Sequence, residues 1–160
     1  MPRKAIPRSS LYNRRLYWYH VSTTLKQKYV TLVPWDEDKG FNRGGSEPLG
    51  KRICVAPTIE QCITAVPYVL ETSFNIYRTK SPIIADHSKG VFDSKVTNEG
   101  WLHKPAKFVK IGRLKFADIE RGLNVDSVIE TSAGSGLPQE AGKVLKWWKR
   151  ARIKRFIKKA

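Results

Sequence analysis

Alternation of apolar and polar positions, with many aromatic and β-branched residues, recurs along the chain and predicts a series of β-strands. The stretches are LYWYHVS, KYVTLV, KRICVAP, SFNIYRT, PIIA and FVKIGRLKF, at residues 16–22, 28–33, 51–57, 73–79, 82–85 and 108–116. DHSKG, at residues 86–90, has the composition of a turn. Because most of these strands follow one another directly, we predict a mixed or mostly antiparallel sheet.

Helical patterns are fewer and shorter. Thr58 and Gln61 match the T-x-x-Q capping box, which predicts a helix from Ile59 to about Val66 that ends before Pro67. Residues 117–130 allow one or two helical turns, interrupted by a glycine. With a basic helix at the end of the chain, the predicted fold class is α+β with a few short helices.

Composition divides the chain into segments. Its 160 residues and 41% hydrophobic content suit one domain with a modest core. Residues 34–50 combine an acidic cluster with glycines and prolines, which is typical of a long surface loop, and residues 131–142 have the composition of a flexible linker. We predict a basic arm (residues 1–15), an α+β domain (16–130), this linker, and a basic helix (143–160).

Charge is concentrated at the two ends. The formal net charge is +16, and neither the basic arm nor residues 143–160, here called the basic segment, contains an acidic residue. The intervening body is nearly neutral. Solubility alone would not place Trp147, Trp148 and Phe156 among the cations of the basic segment, so the pattern favours binding of a polyanion.

A helical wheel divides the apolar residues of the basic segment into two groups on nearly opposite sides. The first group is Val144, Leu145, Trp147, Trp148 and Ala151, and the second is Ile153, Phe156, Ile157 and Ala160. A helix that lies in a membrane surface needs one continuous apolar face, so we predict no membrane partner. The first group is expected to dock the helix on the body. The second is left for a partner or for the other side of the domain.

The most direct function for such ends is binding of DNA or RNA through phosphates, with little dependence on base sequence. Tryptophan rings can add stacking on unpaired bases, but at least one of the pair is expected to pin the helix to the core instead. An acidic host protein or a polymerase is the alternative partner. The candidate nucleic-acid-binding residues are Arg3, Lys4, Arg8, Arg14, Arg15, Lys143, Lys146, Trp147, Lys149, Arg150, Arg152, Lys154, Arg155, Lys158 and Lys159.

The stretches YHVS and RICVAPTIEQC, within residues 16–66, resemble the opening of the ADP-ribosyltransferase fold. The resemblance implies an enzyme that uses NAD as cofactor, with His20 and Ser22 contacting the NAD and with His20 and Glu99 as catalytic residues. Ile53 and Cys54 stand where many members of the His-type group carry Tyr, so stacking on nicotinamide is not implied. A buried strand histidine is the other interpretation of His20, and then no cofactor is expected.

The whole chain is also similar in style to the small basic accessory proteins of bacteriophages. That similarity implies a factor that modulates host nucleic-acid machinery in the host cytoplasm. Cys54 and Cys62 occur without an export signal, which favours reduced thiols in a cytoplasmic protein. The three histidines are widely separated and no C-x-x-C occurs, so no metal site is predicted.

Overall fold

The computed structural model of the protein describes residues 17–36, 50–65, 73–88, 94–122 and 138–160. It combines α-helices with antiparallel sheets, which confirms the α+β class. In chain order the elements are β1 (Tyr19–Ser22), β2 (Tyr29–Leu32), β3 (Trp35–Asp36), β4 (Lys51–Val55), α1 (Ile59–Thr64), β5 (Ser73–Thr79), β6 (Asp86–His87), α2 (Ser94–Thr97), β7 (Gly100–Leu102), β8 (Ala106–Lys115), α3 (Phe116–Gly122), α4 (Pro138–Arg150), a 3₁₀-helix (Ile153–Phe156) and β9 (Lys158–Lys159).

The larger sheet has five strands in the order β1-β5-β8-β2, with β9 also paired to β8. All of its pairings are antiparallel. The long strand β8 pairs with β5 on one side. On its other side it pairs first with β2 and then, from Gly112, with β9. The antiparallel prediction is therefore confirmed, although β1 and β2, which are consecutive in sequence, pair with β5 and β8 and not with each other.

The smaller sheet has four antiparallel strands in the order β3-β4-β7-β6. The two sheets meet where Tyr19 and Ala56 exchange two backbone hydrogen bonds, of 2.9 and 3.0 Å. Strand β1 therefore contacts β5 on one side and the end of β4 on the other. This junction joins the two sheets into one body.

A β-bulge between Ile76 and Tyr77 interrupts the register of β5 with β8. Successive side chains of a strand point to opposite faces, and these two enter different cores. Ile76 belongs to the helix-side core, formed by Ile59, Ile63, Phe74, Ile76, Leu114, Ile119, Val144, Trp148 and Ile153. Tyr77 belongs to the sheet-side core, formed by Trp18, Leu32, Ile53, Val55, Tyr77, Ala85, Leu102, Ala106 and Phe108. Helices thus pack on one face of the large sheet, and the small sheet packs on the other.

The start of α1 follows its sequence signal. Thr58 is the N-cap, and its Oγ1 accepts a hydrogen bond from the backbone N–H of Gln61 at 3.1 Å. The Gln61 side chain reaches back to the cap residue, but its Oε1 accepts from the Thr58 hydroxyl at 2.9 Å rather than from the backbone N–H of the capping box, and its Nε2 donates to the Val96 carbonyl at 3.0 Å. The helix ends at Thr64 with Ala65 as C-cap, slightly before the predicted end.

Two predictions for residues 82–90 are wrong. Residues 82–85 do not form a strand, and Asp86–His87, predicted as part of a turn, form β6. β6 pairs with Trp101 and Gly100 of β7, a strand that the sequence pattern did not predict. A two-residue strand is selected by the partner it meets in space, so its own composition carries little information.

Candidate nucleic-acid interface

Helix α4 begins at Pro138, inside the stretch predicted as a linker, so residues 138–142 are helical. Residues 131–137 lie outside the described residues. Proline is favourable at the first position of a helix, where its missing N–H is not needed, and Glu140 in the first turn suits the positive end of the helix dipole. These local signals outweigh the small-residue composition that suggested a linker.

One face of α4 is buried in the body. Ala141, Val144 and Trp148 recur at helical spacing and are 4%, 0% and 0% exposed. Val144 and Trp148 belong to the helix-side core, so the first apolar group docks the helix as predicted. Trp147 is half-buried against the same core, with its ring edge-on to Trp148 at a centroid distance of 5.1 Å. The structure therefore does not present Trp147 as an open platform for a base.

The predicted helix over 143–160 is wrong in its extent, because α4 ends at Arg150. Arg152 takes a left-handed conformation (φ 52°, ψ 55°) and starts the 3₁₀-helix. This turn brings Ile153 into the helix-side core at 0% exposure, with Phe156 and Ile157 packed beside it. A straight helix would have pointed this second group away from the first. The helix breaks at Arg152 because the second apolar group, through Ile153, packs in the same core as Val144 and Trp148 of the first group.

Strand β9 then fastens the basic segment to the large sheet. Lys158 and Lys159 pair with Arg113 and Gly112, and the Ala160 backbone N–H donates to the Ile111 carbonyl at 3.2 Å. Gly112 has no side chain where Ile157 packs, and a Cβ there would overlap Ile157 Cγ2. The basic segment is therefore part of the folded body and not a tethered helix.

The cations of the basic segment all remain exposed, while its apolar residues other than Ala160 are buried or half-buried. Three of them have carboxylate partners: Lys143 with Glu140 at 3.8 Å, Lys154 with Glu60 at 3.6 Å, and Lys158 with Asp118 at 3.9 Å. The exposed cations are Lys143, Lys146, Lys149, Arg150, Arg152, Lys154, Arg155, Lys158 and Lys159. The other predicted cations, Arg3, Lys4, Arg8, Arg14 and Arg15, lie outside the described residues.

Sequence reasoning missed the cations on β5 and β8 of the large sheet, which join Lys158 and Lys159 of β9. None of the five strands contains an acidic residue. Arg113 lies directly opposite Lys158, an arrangement of like charges that is unfavourable in itself and is offset in part by Asp118, 3.9 Å from Lys158. The signal was present in AKFVKIGRLK, the β8 sequence, as repeated cations without an acid. The strand cations are Arg78, Lys107, Lys110, Arg113, Lys115, Lys158 and Lys159.

His20, the candidate from the transferase resemblance, lies on β1 and is buried at the junction of the sheets. Its Nδ1 is 2.9 Å from the Cys54 carbonyl oxygen, so Nδ1–H donates and Nε2 is the unprotonated nitrogen of the neutral ring. The ring packs edge-on against Trp35 and Phe108, at 5.6 and 6.0 Å between centroids. Burial lowers the pKa of His20 below 6.5, against a smaller opposing effect of the Cys54 hydrogen bond. The imidazole is therefore neutral at pH 7.

Ser22 and Glu99 do not join His20 in one constellation. Ser22 Oγ accepts from the backbone N–H groups of Thr24 and Leu25, at 3.2 and 3.0 Å, and so forms the turn after β1. Glu99 directly precedes β7, and the pairing order places β4 between β7 and the β1 strand of His20. Among the described residues, the structure brings neither side chain into contact with the His20 ring.

The described residues contain no group of three or more His, Cys, Asp or Glu side chains that could hold a metal ion. Cys54 and Cys62 are not joined in a disulfide. Over the same part of the chain, no helix is long and apolar enough to cross a membrane. Comparison of the whole chain with protein-family models, with curated proteins and with solved structures finds no significant match.

Proposed function

We propose that the protein binds nucleic acid through phosphates, using the basic segment and the neighbouring edge of the large sheet. The observation that supports this most is the contrast between the buried apolar residues and the exposed cations of the basic segment. Three of its apolar residues, Val144, Trp148 and Ile153, are fully buried, whereas every one of its cations is exposed. The cations therefore project from an anchored frame, which lowers the entropy lost when they engage a polymer.

Charge supports the same proposal. Within the described residues, Lys146, Lys149, Arg150, Arg152 and Lys159 have no carboxylate within ion-pair distance. Phosphates of DNA or RNA supply the missing counter-charges, and release of their condensed counterions supplies affinity that is independent of base sequence. Such binding serves a factor that modulates host nucleic-acid machinery, the role implied by the similarity to phage accessory proteins.

The test is a salt-dependent titration of the full chain with duplex DNA, single-stranded DNA and structured RNA. Deleting the basic segment would remove core residues, so charge-neutralising substitutions are the appropriate variants. Lys146→Gln with Lys149→Gln changes two exposed positions of α4. We expect weaker binding and a shallower dependence of log K on log salt, by about 0.9 for each duplex phosphate that the variant no longer neutralises.

The matched control is Lys51→Gln with Lys104→Gln, which removes the same charge from exposed positions at the small sheet. The control should bind like the wild type. Equal losses in the two double variants would mean that only net charge matters and would contradict an interface at the basic segment. Binding of an acidic protein or a polymerase without any nucleic-acid binding would replace the proposal by the alternative partner.

A second candidate function is an ADP-ribosyltransferase-type reaction with NAD. One observation favours it: the two stretches that carry the resemblance are adjacent, because Tyr19 pairs with Ala56 and His20 Nδ1–H donates to the Cys54 carbonyl. A neutral His20 with an unprotonated Nε2 can accept a hydrogen bond from a ribose hydroxyl. Burial of the ring and the position of Glu99 across β4 speak against a ready active site.

Thermal unfolding with NAD tests this second candidate. A ligand that binds only the folded state raises the melting temperature. ADP at the same concentration is the control, since a basic surface also attracts simple phosphates. A shift with NAD that exceeds the shift with ADP and persists in high salt would support a cofactor site. Equal shifts, or none, would count against it.

A further inference from the structure

The part of the large sheet that lies beyond the bulge has one face turned away from the sheet-side core. Tyr19 of β1 pairs with Arg78 of β5, Arg78 pairs with Val109 of β8, and Val109 pairs with Tyr29 of β2. Directly paired residues of antiparallel strands point to the same face. These residues therefore form a row across four strands, in which Tyr29 is exposed and the other three are half-buried, with Tyr19 packed against the helix-side core. We call this row, with Tyr17 beside it, the open face.

The open face presents aromatic rings next to cations. Tyr29 is 63% exposed, an unusual position for a large ring on a sheet. Lys28 Nζ lies 5.7 Å from the centre of the Tyr29 ring, and the Arg78 guanidinium lies 4.3 Å from the centre of the Tyr17 ring. Lys107, opposite Thr31 in the register, is exposed as well. No acidic residue occurs in any strand of this sheet.

This combination fits one kind of occupant better than the others. Unpaired nucleic acid binds by stacking its bases on aromatic rings and on Arg planes, while lysines neutralise its phosphates. A duplex keeps its bases stacked inside, so an exposed tyrosine adds nothing to duplex binding. An acidic protein surface would use the cations but has no need of bare ring faces.

We propose that an unpaired strand of DNA or RNA crosses the open face, with one base on Tyr29 and another on the Tyr17–Arg78 pair. This rests on the proposed function and deepens it, because the same polymer would place its phosphates on the cations of the sheet and the basic segment. Lys28 and Lys107 flank the Tyr29 position. Tyr29 and Arg78 are two strand spacings apart, about 10 Å, so the two bases are distinct.

Tyr29→Ala is the decisive variant, because the side chain is largely exposed and its removal should leave the fold intact. The probes are a fluorescent oligothymidylate and a duplex of equal length, titrated at one moderate salt concentration. We expect single-strand affinity to fall by about five- to 150-fold, which corresponds to roughly 1–3 kcal/mol at 1.4 kcal/mol per tenfold. Duplex affinity should be unchanged, as should the salt dependence for both probes.

Two controls separate loss of the aromatic ring from loss of any exposed apolar side chain. Tyr29→Phe keeps the ring and should retain single-strand affinity. Ile84→Ala removes another large exposed apolar side chain, 67% exposed and outside the large sheet, and should have no effect. Unchanged single-strand affinity in Tyr29→Ala, or an equal loss for single strand and duplex, would overturn the inference.

The failure of this inference differs from a failure of the proposed function. If Lys146→Gln with Lys149→Gln weakens both probes while Tyr29→Ala weakens neither, phosphate binding stands and the open face is not a base-stacking site. A wild-type chain that binds polyglutamate but neither oligonucleotide overturns both.

Discussion

The two sheets of this protein treat charge in opposite ways. The small sheet carries acids as well as cations: Asp36 lies opposite Lys51 in the register, and Asp86 Oδ2 is 3.1 Å from His103 Nε2 beside β7. The large sheet has cations on three of its strands and an acid on none. Lys158 of the large sheet has an intrachain partner in Asp118 at 3.9 Å, and we propose that nucleic-acid phosphates neutralise the other strand cations.

The basic segment belongs to the large-sheet half of this comparison, because it closes the helix-side core and adds β9 to β8. The apolar residues of the basic segment fix its position on the helix-side core, and its cations add to those on the strands of the large sheet. A surface that concentrates like charge needs strong packing beneath it, since the repulsion opposes folding. Substitutions of buried residues should change the stability of the protein, whereas substitutions of exposed cations should mainly change its binding of nucleic acid.

The largest effect is expected from Trp148→Ala. The side chain is fully buried between α4 and the sheet, so its removal should lower the free energy of unfolding by about 3–5 kcal/mol. Chemical denaturation of the variant and of Lys146→Ala, an exposed neighbour that should change little, measures this. A stability of Trp148→Ala close to wild type would show that the basic segment is a peripheral attachment.

Gly112→Ala should cost somewhat less. The added methyl group would overlap Ile157 and force β9 away from β8, at a cost of about 1–3 kcal/mol. Amide hydrogen exchange should show faster exchange at Ala160, whose N–H pairs with Ile111. Gly142→Ala, at a glycine where a Cβ meets no other atom within 4 Å, is the matched control and should be neutral or stabilising. Equal protection of Ala160 in both variants would contradict the packing described here.

His20, on β1 of the large sheet at its junction with the small sheet, should make stability depend on pH. Its folded-state pKa is lowered, so the unfolded chain binds a proton that the folded chain does not between the folded value and about 6.5. The free energy of unfolding should therefore be highest above that range and fall as pH falls through it, by at most about 1.4 kcal/mol per pH unit. Denaturation from pH 7 to 5 measures this slope, and His20→Gln should flatten it. Parallel curves for wild type and His20→Gln would contradict burial of a neutral ring.

The smallest effects come from the same charge reversal made in each sheet. Arg113→Glu would face Lys158 and should raise stability by roughly 0.2–1 kcal/mol, toward the lower end because both positions are exposed. Lys51→Glu would face Asp36 and should lower stability by a similar amount. Of the two, only Arg113→Glu should clearly weaken nucleic-acid binding. Stability changes of the same sign in both variants would remove the contrast between the sheets.

Local signals in the sequence predicted much of the fold. Strands β1, β2, β4, β5 and β8 follow their aromatic and β-branched alternation, and α1 follows its Thr58 cap. Elements that depend on distant partners were missed. β6 and β7 support one another across the small sheet, and β9 forms because Gly112 leaves room for Ile157. The bulge at Ile76 and Tyr77 arises from packing on two cores and has no local signature.

The candidate site likewise has features that the sequence alone predicts and features that depend on the tertiary structure. Exposure of the cations of the basic segment could be predicted, because nothing in the sequence offers so many buried counter-charges. The break at Arg152 could not, since neither glycine nor proline marks it and only burial of Ile153 explains it. The row from Tyr19 to Tyr29 needs the strand order β1-β5-β8-β2, which no single stretch of sequence contains.

Strand β9 has a consequence for how the protein behaves in concentrated solution. It lies along the edge of β8 and carries only lysines, Lys158 and Lys159. Bare sheet edges invite pairing with other chains, and lysine side chains at an edge are a common way to prevent it. The lysines of β9, which we propose to bind phosphates, should therefore also oppose edge-to-edge aggregation of the protein with itself.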